Sequence, residues 1–174
     1  MAPRLKIRRA TRRDAAALIA FNSAMALETE RKVLMPHVIG AGVRGLLRRP
    51  GAGFYIVAES GGHVVGALMI TTEWSDWRNG TFWWIQSVYV QPKFRRRGVY
   101  RRLFAHAQSL AAKERGVCGF RLYVERHNRR AQATYRACGM ERTHYVVYEA
   151  LEPGVRFFTP APAAAAISSP RRRH

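Results

Sequence analysis

The chain has 174 residues, 48% of them hydrophobic and 24% charged, the balance of one globular domain long enough to bury a core. Its formal net charge is +19, and 26 of its 30 basic residues are arginine. No apolar run approaches the roughly 20 residues of a membrane-spanning helix, and Met1 to Arg9 has charges without the apolar stretch of a signal peptide, so a cytoplasmic protein with no membrane partner is expected.

The chain opens with a short edge strand over Lys6 to Ala10. Thr11 then fits a helix N-cap with Asp14 three positions on, and Leu18, Ile19, Phe21, Met25 and Leu27 keep the spacing of a helix running to about Ala26. Glu28 and Glu30 follow at its end. Pro36 and Gly40-Ala41-Gly42 read as a break, with a short second helix over Val43 to Arg48. A β meander comes next: Phe54 to Glu59, a Ser60-Gly61-Gly62 hairpin, His63 to Thr72, a polar and aromatic loop from Glu73 to Gly80, and Thr81 to Val90. Its short connections make it antiparallel.

Tyr100, Leu103, Phe104, Ala107, Leu110 and Ala111 mark one face of a helix ending near Arg115-Gly116. Gly119 to Val124 is a strand, parallel to Phe82–Val90 if the helix crosses between them. Asn128 caps a further helix carrying Ala131, Tyr135 and Cys138 and stopped by Gly139. Thr143 to Leu151 reads as a final strand. The domain is expected over 1–152, with a low-complexity, disordered tail over 153–174.

Two features of composition bear on partners. Neutralising phosphates would give nucleic-acid affinity, but the arginines are scattered over the elements and do not form one basic block with interleaved aromatics. A coding bias toward arginine explains them better, and nucleic acid is the disfavoured partner. Cys118 and Cys138 form no CxxC or Cys/His cluster, so no metal is expected and both read as small core residues.

The stretch from Val88 to Leu103 carries the chemistry. A β-branched and aromatic strand meets Pro92, an arginine-rich turn and Gly98, and then an amphipathic helix. Unpaired N–H groups and the positive end of a helix dipole make such a junction an anion site. Arginines beside it favour phosphate over carboxylate. On this stretch alone the arginines could equally be a solvated surface.

The pattern Val88-Tyr89-Val90-x-Pro92-x-x-Arg95-x-x-Gly98, followed by Leu103, resembles the acetyl-CoA signature of the GNAT superfamily of N-acetyltransferases. Asn128-x-x-Ala131-x-x-x-Tyr135-x-x-x-Gly139-Met140 resembles its second signature, in the family's order and spacing. The likeness covers about Leu5 to Leu151. It implies an α/β (α+β) fold: a mixed, mostly antiparallel sheet with one parallel splayed strand pair and helices on both faces.

The resemblance also implies roles. Val88, Tyr89 and Val90 would pair with the pantetheine arm of acetyl-CoA, and Arg95, Arg96, Arg97, Gly98, Val99 and Tyr100 would wrap its pyrophosphate. Asn128 would bond the pantetheine region, and Tyr135 would protonate the leaving thiolate, a role open to a phenol of pKa ~10 in hydrogen-bonding reach. The alternative for Tyr135 is packing of its helix on the sheet. The implied reaction is direct transfer of acetyl to an amine in a ternary complex.

The sequence departs from the family at two places. Tyr100 stands where the signature has a small residue, so its side chain must turn into the helix–sheet interface. Phe82 to Gln86 lacks the carboxylate that many relatives use as general base. Glu73 ranks first as its replacement, ahead of Asp76, Glu28 and Glu30, and a solvated carboxylate is the other reading of it. Glu28, Trp74, Trp77 and Trp84 are expected at the acceptor site, with Trp74 and Trp77 alternatively forming a homodimer contact. The acceptor is a small-molecule or peptide amine, polycations being disfavoured by like charge. Two rivals remain: a CoA-binding domain without activity and a polyanion-binding protein on the same scaffold.

Overall fold

In the computed structural model, residues 4–162 are described. Lys6–Arg9 (β1) enters a 3-10 turn in which the Thr11 backbone N–H donates to the Asp14 carboxylate at 2.7 Å, and helix Ala15–Glu30 (α1) follows. α1 runs past the expected end at Ala26. It stops where Arg31 takes a left-handed φ of 56°, so Glu28 lies on the helix. Lys32–Leu34 (β2) leads to helix Pro36–Arg48 (α2).

The glycines read as a break lie inside α2. Pro36 is preset for a first helical turn, and a Cβ on buried Gly40 would sit 2.9 Å from Arg44 Nη1 and 3.9 Å from Ile19 Cδ1 on α1. The Ile19 distance is ordinary van der Waals contact, and the tight neighbour is the movable end of the Arg44 side chain on α2 itself.

Phe54–Ser60 (β3) and His63–Ser75 (β4) meet at Gly61-Gly62, both with positive φ, as a two-residue hairpin demands. The loop expected over Glu73 to Gly80 is corrected. Glu73, Trp74 and Ser75 continue β4 and pair with Phe82, Thr81 and Gly80 of Gly80–Val90 (β5), leaving only a turn over Asp76–Arg78 and Asn79. Cross-strand pairing extends the strand through residues whose own pattern reads as polar loop.

Helix Val99–Ala111 (α3) crosses to Val117–Arg121 (β6), which is parallel to β5, and helix Arg129–Ala137 (α4) follows. The five-stranded sheet has the order β1-β3-β4-β5-β6, antiparallel except for β5–β6. One face packs Ile56, Leu68, Ile70 and Trp83 on Leu103 and Phe104 of α3, with Tyr135 of α4 half-buried against them. The other packs Tyr55, Val57 and Tyr89 under Leu18 and Phe21 of α1 and Val43 of α2. The expected mixed sheet with helices on both faces is present. No helix among the described residues is long and apolar enough to cross a membrane.

Two expectations at the C-terminal end are corrected. Thr143 to Leu151 forms no strand: the segment is exposed throughout. Phe158–Pro160 (β7) pairs antiparallel with β2, so the chain is folded beyond 152. The rest of the expected tail, 163–174, lies outside the described residues.

Candidate active site

The site begins where two parallel strands part. Thr81 to Trp84 of β5 pair with Val117 to Arg121 of β6, and the pairing ends there. Beyond it β5 is bulged: Ala67 faces Tyr89 and Met69 faces Gln86, so Leu68 alone spans Ser87 and Val88, and Ser87 takes a left-handed φ of 49°. Past Trp84 the β6 side of β5 has no strand partner among the described residues, and this unpaired edge is the cleft. The Gln91 N–H bonds the Val65 carbonyl at 2.9 Å, so by alternation Val90 directs its own N–H and C=O away from β4 into that cleft.

The turn after β5 supplies free donors. Phe94 and Arg95 give their N–H groups to Gln91 and Pro92, and the next such bond is Arg102 N–H to Gly98 O at 3.1 Å. Among the described residues the backbone N–H groups of Arg96 through Arg101 have no acceptor. Gly98, the N-cap of α3, has φ 73° and no side chain to cap the helix, and Arg96 has φ 63°. A Cβ on Gly98 would meet nothing within 4 Å, so the approach to these donors is open. Successive free N–H groups at a helix start form a concavity for an anion, and the exposed side chains of Arg96 and Arg97 add positive charge to it.

Arg95 behaves differently from its two neighbours. Its Nε donates to the Val90 carbonyl at 2.8 Å and its Nη2 to Glu28 Oε2 at 2.7 Å. The Tyr89 hydroxyl donates to Glu28 Oε1 at 2.9 Å, and the guanidinium lies 5.3 Å from the Tyr89 ring centroid. Burial first and the Glu28 carboxylate second raise the pKa of the Tyr89 phenol, which keeps it a donor. Glu28 thus ties α1 to the turn.

Around the lip of the cleft, β4, β5 and β6 present one polar and aromatic face. Thr71 pairs with Trp84, Glu73 with Phe82, and Trp84 in turn with Arg121, so these side chains share a side of the sheet. The Arg121 Nη1 donates to Glu73 Oε1 at 2.6 Å, the Trp84 Nε1–H donates to Glu73 Oε2, and the Arg121 Cζ lies 3.8 Å from the Phe82 ring centroid. Gln86 Nε2 donates to Thr71 Oγ1 at 2.6 Å, and Tyr123 stands 6.1 Å from Trp84, centroid to centroid. Strand alternation places Trp74 on the opposite face from Glu73. Trp74 is 62% exposed and Trp77, in the turn, 86% exposed, so neither joins Glu73.

On the other face, Tyr135 is half-buried with its ring edge-on to Tyr100, centroids 5.4 Å apart. Burial pushes its phenol pKa up, so it stays protonated. Tyr100 does turn into the helix–sheet interface, stacked on Phe104 at 6.1 Å, and its buried hydroxyl has no hydrogen-bond partner among the described residues. Asn128 Oδ1 accepts from the Ala131 N–H at 3.0 Å, capping α4 and leaving its Nδ2 free to act as a donor.

The structure therefore gathers Val88, Val90, Gly98, Val99 and the arginine turn at the cleft, and Glu73 and Trp84 beside it. Arg121, Tyr123, Gln86 and Thr71 were missed. A charged residue inside the otherwise apolar Gly119-Phe120-Arg121-Leu122 run was the one sequence signal for Arg121. The other three become visible only with the register.

Comparisons with known proteins agree with this geometry. The profile of the Acetyltransferase (GNAT) family matches residues 22–140. A possible acetyltransferase from Clostridium difficile 630 is 41% identical, with 85% of this chain and 97% of that one covered and a TM-score of 0.79. A GCN5-related N-acetyltransferase from Ralstonia eutropha JMP134 is 21% identical, covering 84% and 99%, with a TM-score of 0.70. AAC(6')-Iy, solved with the bisubstrate analog CoA-S-monomethyl-acetylneamine, is 17% identical, covering 86% and 99%, with a TM-score of 0.69. The last two speak to the fold alone. No curated protein matches the sequence significantly.

Proposed function

The chain belongs to the GNAT family of acetyltransferases, and we propose that it is an acetyl-CoA-dependent N-acetyltransferase passing acetyl directly to an amine in a ternary complex. The observation that carries this is the run of unpartnered N–H groups from Arg96 to Arg101 at the mouth of the β5–β6 cleft. These donors, with Arg96 and Arg97, would hold the pyrophosphate of CoA. The outward N–H of Val90 and the exposed edge around Val88 would pair with the pantetheine amides, and Asn128 Nδ2 would donate to the same arm. Bound there, acetyl-CoA supplies an activated thioester carbonyl at the cleft.

This chain's own groups do the rest. Tyr135 holds a proton for the departing thiolate. An N–H on the bulged strand near Ser87 to Val90 stabilises developing negative charge on the carbonyl oxygen. Thr71, Glu73, Trp84, Gln86, Arg121 and Tyr123 wall the side from which the amine arrives. Glu73 is the carboxylate placed to take the proton of the amine, through water, once Arg121 swings off its oxygen. Glu28 serves by fixing Arg95 and through it the turn.

A second reading, CoA binding without turnover, draws on the engagement of both Glu73 oxygens by Arg121 and Trp84. Thermal shift with acetyl-CoA, followed by CoA release over a panel of amines, tests both. A shift in the wild type that Gly98→Glu abolishes and Gly98→Ala retains supports the cradle. Equal shifts in all three chains end the cofactor assignment, and a shift without turnover on any amine favours the second reading.

A further inference from the structure

Resting on the N-acetyltransferase reading of this site, we infer that its acceptor is a free α-amino acid with an apolar or aromatic side chain, the carboxylate held by Arg121 and the amine by Glu73. Two guanidiniums share the Phe82 ring: the Cζ of Arg121 lies 3.8 Å and that of Arg78 5.1 Å from its centroid. Glu73 pairs with Arg121. Asp76, in the turn, accepts the Trp77 N–H, and among the described residues neither it nor Arg78 is in an ion pair. The two cations thus share one paired carboxylate, on a chain of net charge +19, and the face is set to receive an anion.

Arg121 stands on a built platform. Gly119, which pairs with Phe82 across the parallel register, makes room for the ring: a Cβ there would lie 2.9 Å from Phe82 Cε1. The ring is 9% exposed, and the Arg121 guanidinium lies over it. Of the guanidinium's N–H donors only one, on Nη1, has an acceptor among the described residues. A planar fork with free donors takes a carboxylate through two parallel bonds. The Arg121 and Glu73 side chains are 30% and 39% exposed, so a ligand can reach both.

The spacing fits an α-amino acid. Two bonds of about 1.5 Å each join its nitrogen to its carboxyl carbon, so its charges are as close together as Glu73 Oε1 and Arg121 Nη1, which are 2.6 Å apart. The ammonium pairs with Glu73 while the carboxylate takes the fork, and one internal ion pair is exchanged for two to the ligand. The same exchange draws Arg121 off Glu73 Oε1, the movement the base needs. A polyamine or a peptide N-terminus brings an ammonium with no carboxylate beside it and leaves Arg121 where it is. Trp84 and Tyr123, ring centroids 6.1 Å apart and Tyr123 63% exposed, stand alongside for an apolar or aromatic side chain. In the transfer the C–S bond breaks as the N–C bond forms. Of the ammonium's protons one stays in the amide, one leaves through Glu73 to water, and one replaces the proton that Tyr135 gives to sulfur.

Isothermal titration of the full-length chain, with and without CoA, tests this apart from turnover. The probes are leucine, methionine, phenylalanine and tryptophan, each against its carboxamide and its decarboxylated amine. At least one free acid is expected to bind about tenfold or more tightly than both its analogues. Binding of every acid no tighter than its amide, or no binding of any acid, overturns the inference. Phosphoethanolamine bound more tightly than every amino acid overturns it too, since the site would then be one for phosphate. Arg121→Gln is expected to bring the ratio of acid to amide affinity to about one, and an unchanged ratio in the folded variant overturns the assignment of Arg121. The wild-type comparison decides by itself if that variant does not fold. CoA release over the same probes separates the two readings. Turnover of amides and amines without preference for the acids overturns the amino-acid acceptor and leaves the acetyltransferase standing. Acid-selective binding without turnover of any probe supports the carboxylate site and counts against the acetyltransferase.

Discussion

Arg95 and Glu28, 67 positions apart in sequence, meet at 2.7 Å across the boundary between the arginine turn and α1. The same guanidinium holds the Val90 carbonyl at 2.8 Å. One side chain therefore fixes the last residue of β5 and the helix that covers the neighbouring strands, and the N–H groups without an acceptor among the described residues follow directly after it. The residue that matches the family signature acts as a brace, and the free donors of the turn belong to the backbone.

Removing either end of this brace should loosen the turn without emptying it. Glu28→Gln is expected to raise the Kd for CoA several-fold, about 1 kcal/mol for one charge-assisted bond, with kcat at saturation little changed. Arg95→Ala should cost more, since the Val90 contact goes too. Isothermal titration with CoA checks both, and unchanged affinity in Arg95→Ala would contradict the assignment.

Gly98 separates conformation from charge. A Cβ there meets no atom within 4 Å, so Gly98→Ala pays only for a left-handed φ of 73°, about 1–2 kcal/mol. The expected result is a lower melting temperature in the absence of ligand and a retained CoA-induced shift.

Tyr135→Phe keeps the packing against Tyr100 and removes the proton. A loss of about 10²-fold or more in kcat is expected, with KM for acetyl-CoA nearly unchanged. Because burial raises the Tyr135 pKa, the wild type should show no loss of activity from its deprotonation at or below the ordinary phenol value of 10. Full turnover by the variant across the pH range would leave Tyr135 as a packing residue.

Glu73→Gln tests the base. It should lower kcat/KM for the amine while leaving CoA binding intact, whereas Arg121→Ala, which frees one Glu73 oxygen, should not lower it through loss of the base. A Glu73→Gln chain with wild-type turnover would place the proton-accepting role elsewhere or in water.

Asp14 gives a pH signature of the fold itself. Hydrogen bonds from Arg8 at 2.8 and 3.0 Å hold its carboxyl below the ordinary value of 3.8, more than burial raises it, and the Thr11 N–H assists. With the folded pKa depressed, the stabilisation is full above about 3.8 and lost as pH falls through the folded value. Asp14→Asn should reduce stability at neutral pH by about 2 kcal/mol and flatten the stability profile below pH 4, read by urea melts.

The sequence carried much of this because its signals were local. Strand alternation from Phe54 to Val90, the helical face from Tyr100 to Ala111, the Asn128 cap and the strand–turn–helix at Gly98 each depend on neighbours a few residues apart. Where it misled, the deciding partner was distant. Glu73 to Ser75 became strand because Gly80 to Phe82 pair with them, and Gly40 became helical on an α2 that packs Val43 with Leu18 and Phe21 of α1.

The polar and aromatic face of β4, β5 and β6 shows the division most sharply. That Glu73, Trp84 and Arg121 share one face is set by two registers, one antiparallel and one parallel, and a shift of a single residue in either would turn a side chain to the opposite face. Trp74 lies on the face opposite Glu73 for the same reason. The residue types and order along the chain determined the fold class and the strand–turn–helix at Gly98 with its free N–H groups, because hydrophobic periodicity and backbone N–H geometry are properties of short segments. Only the tertiary structure decided which carboxylate meets which cation, and that Thr143 to Leu151 has no strand partner among the described residues, because those outcomes rest on pairings between segments far apart in sequence.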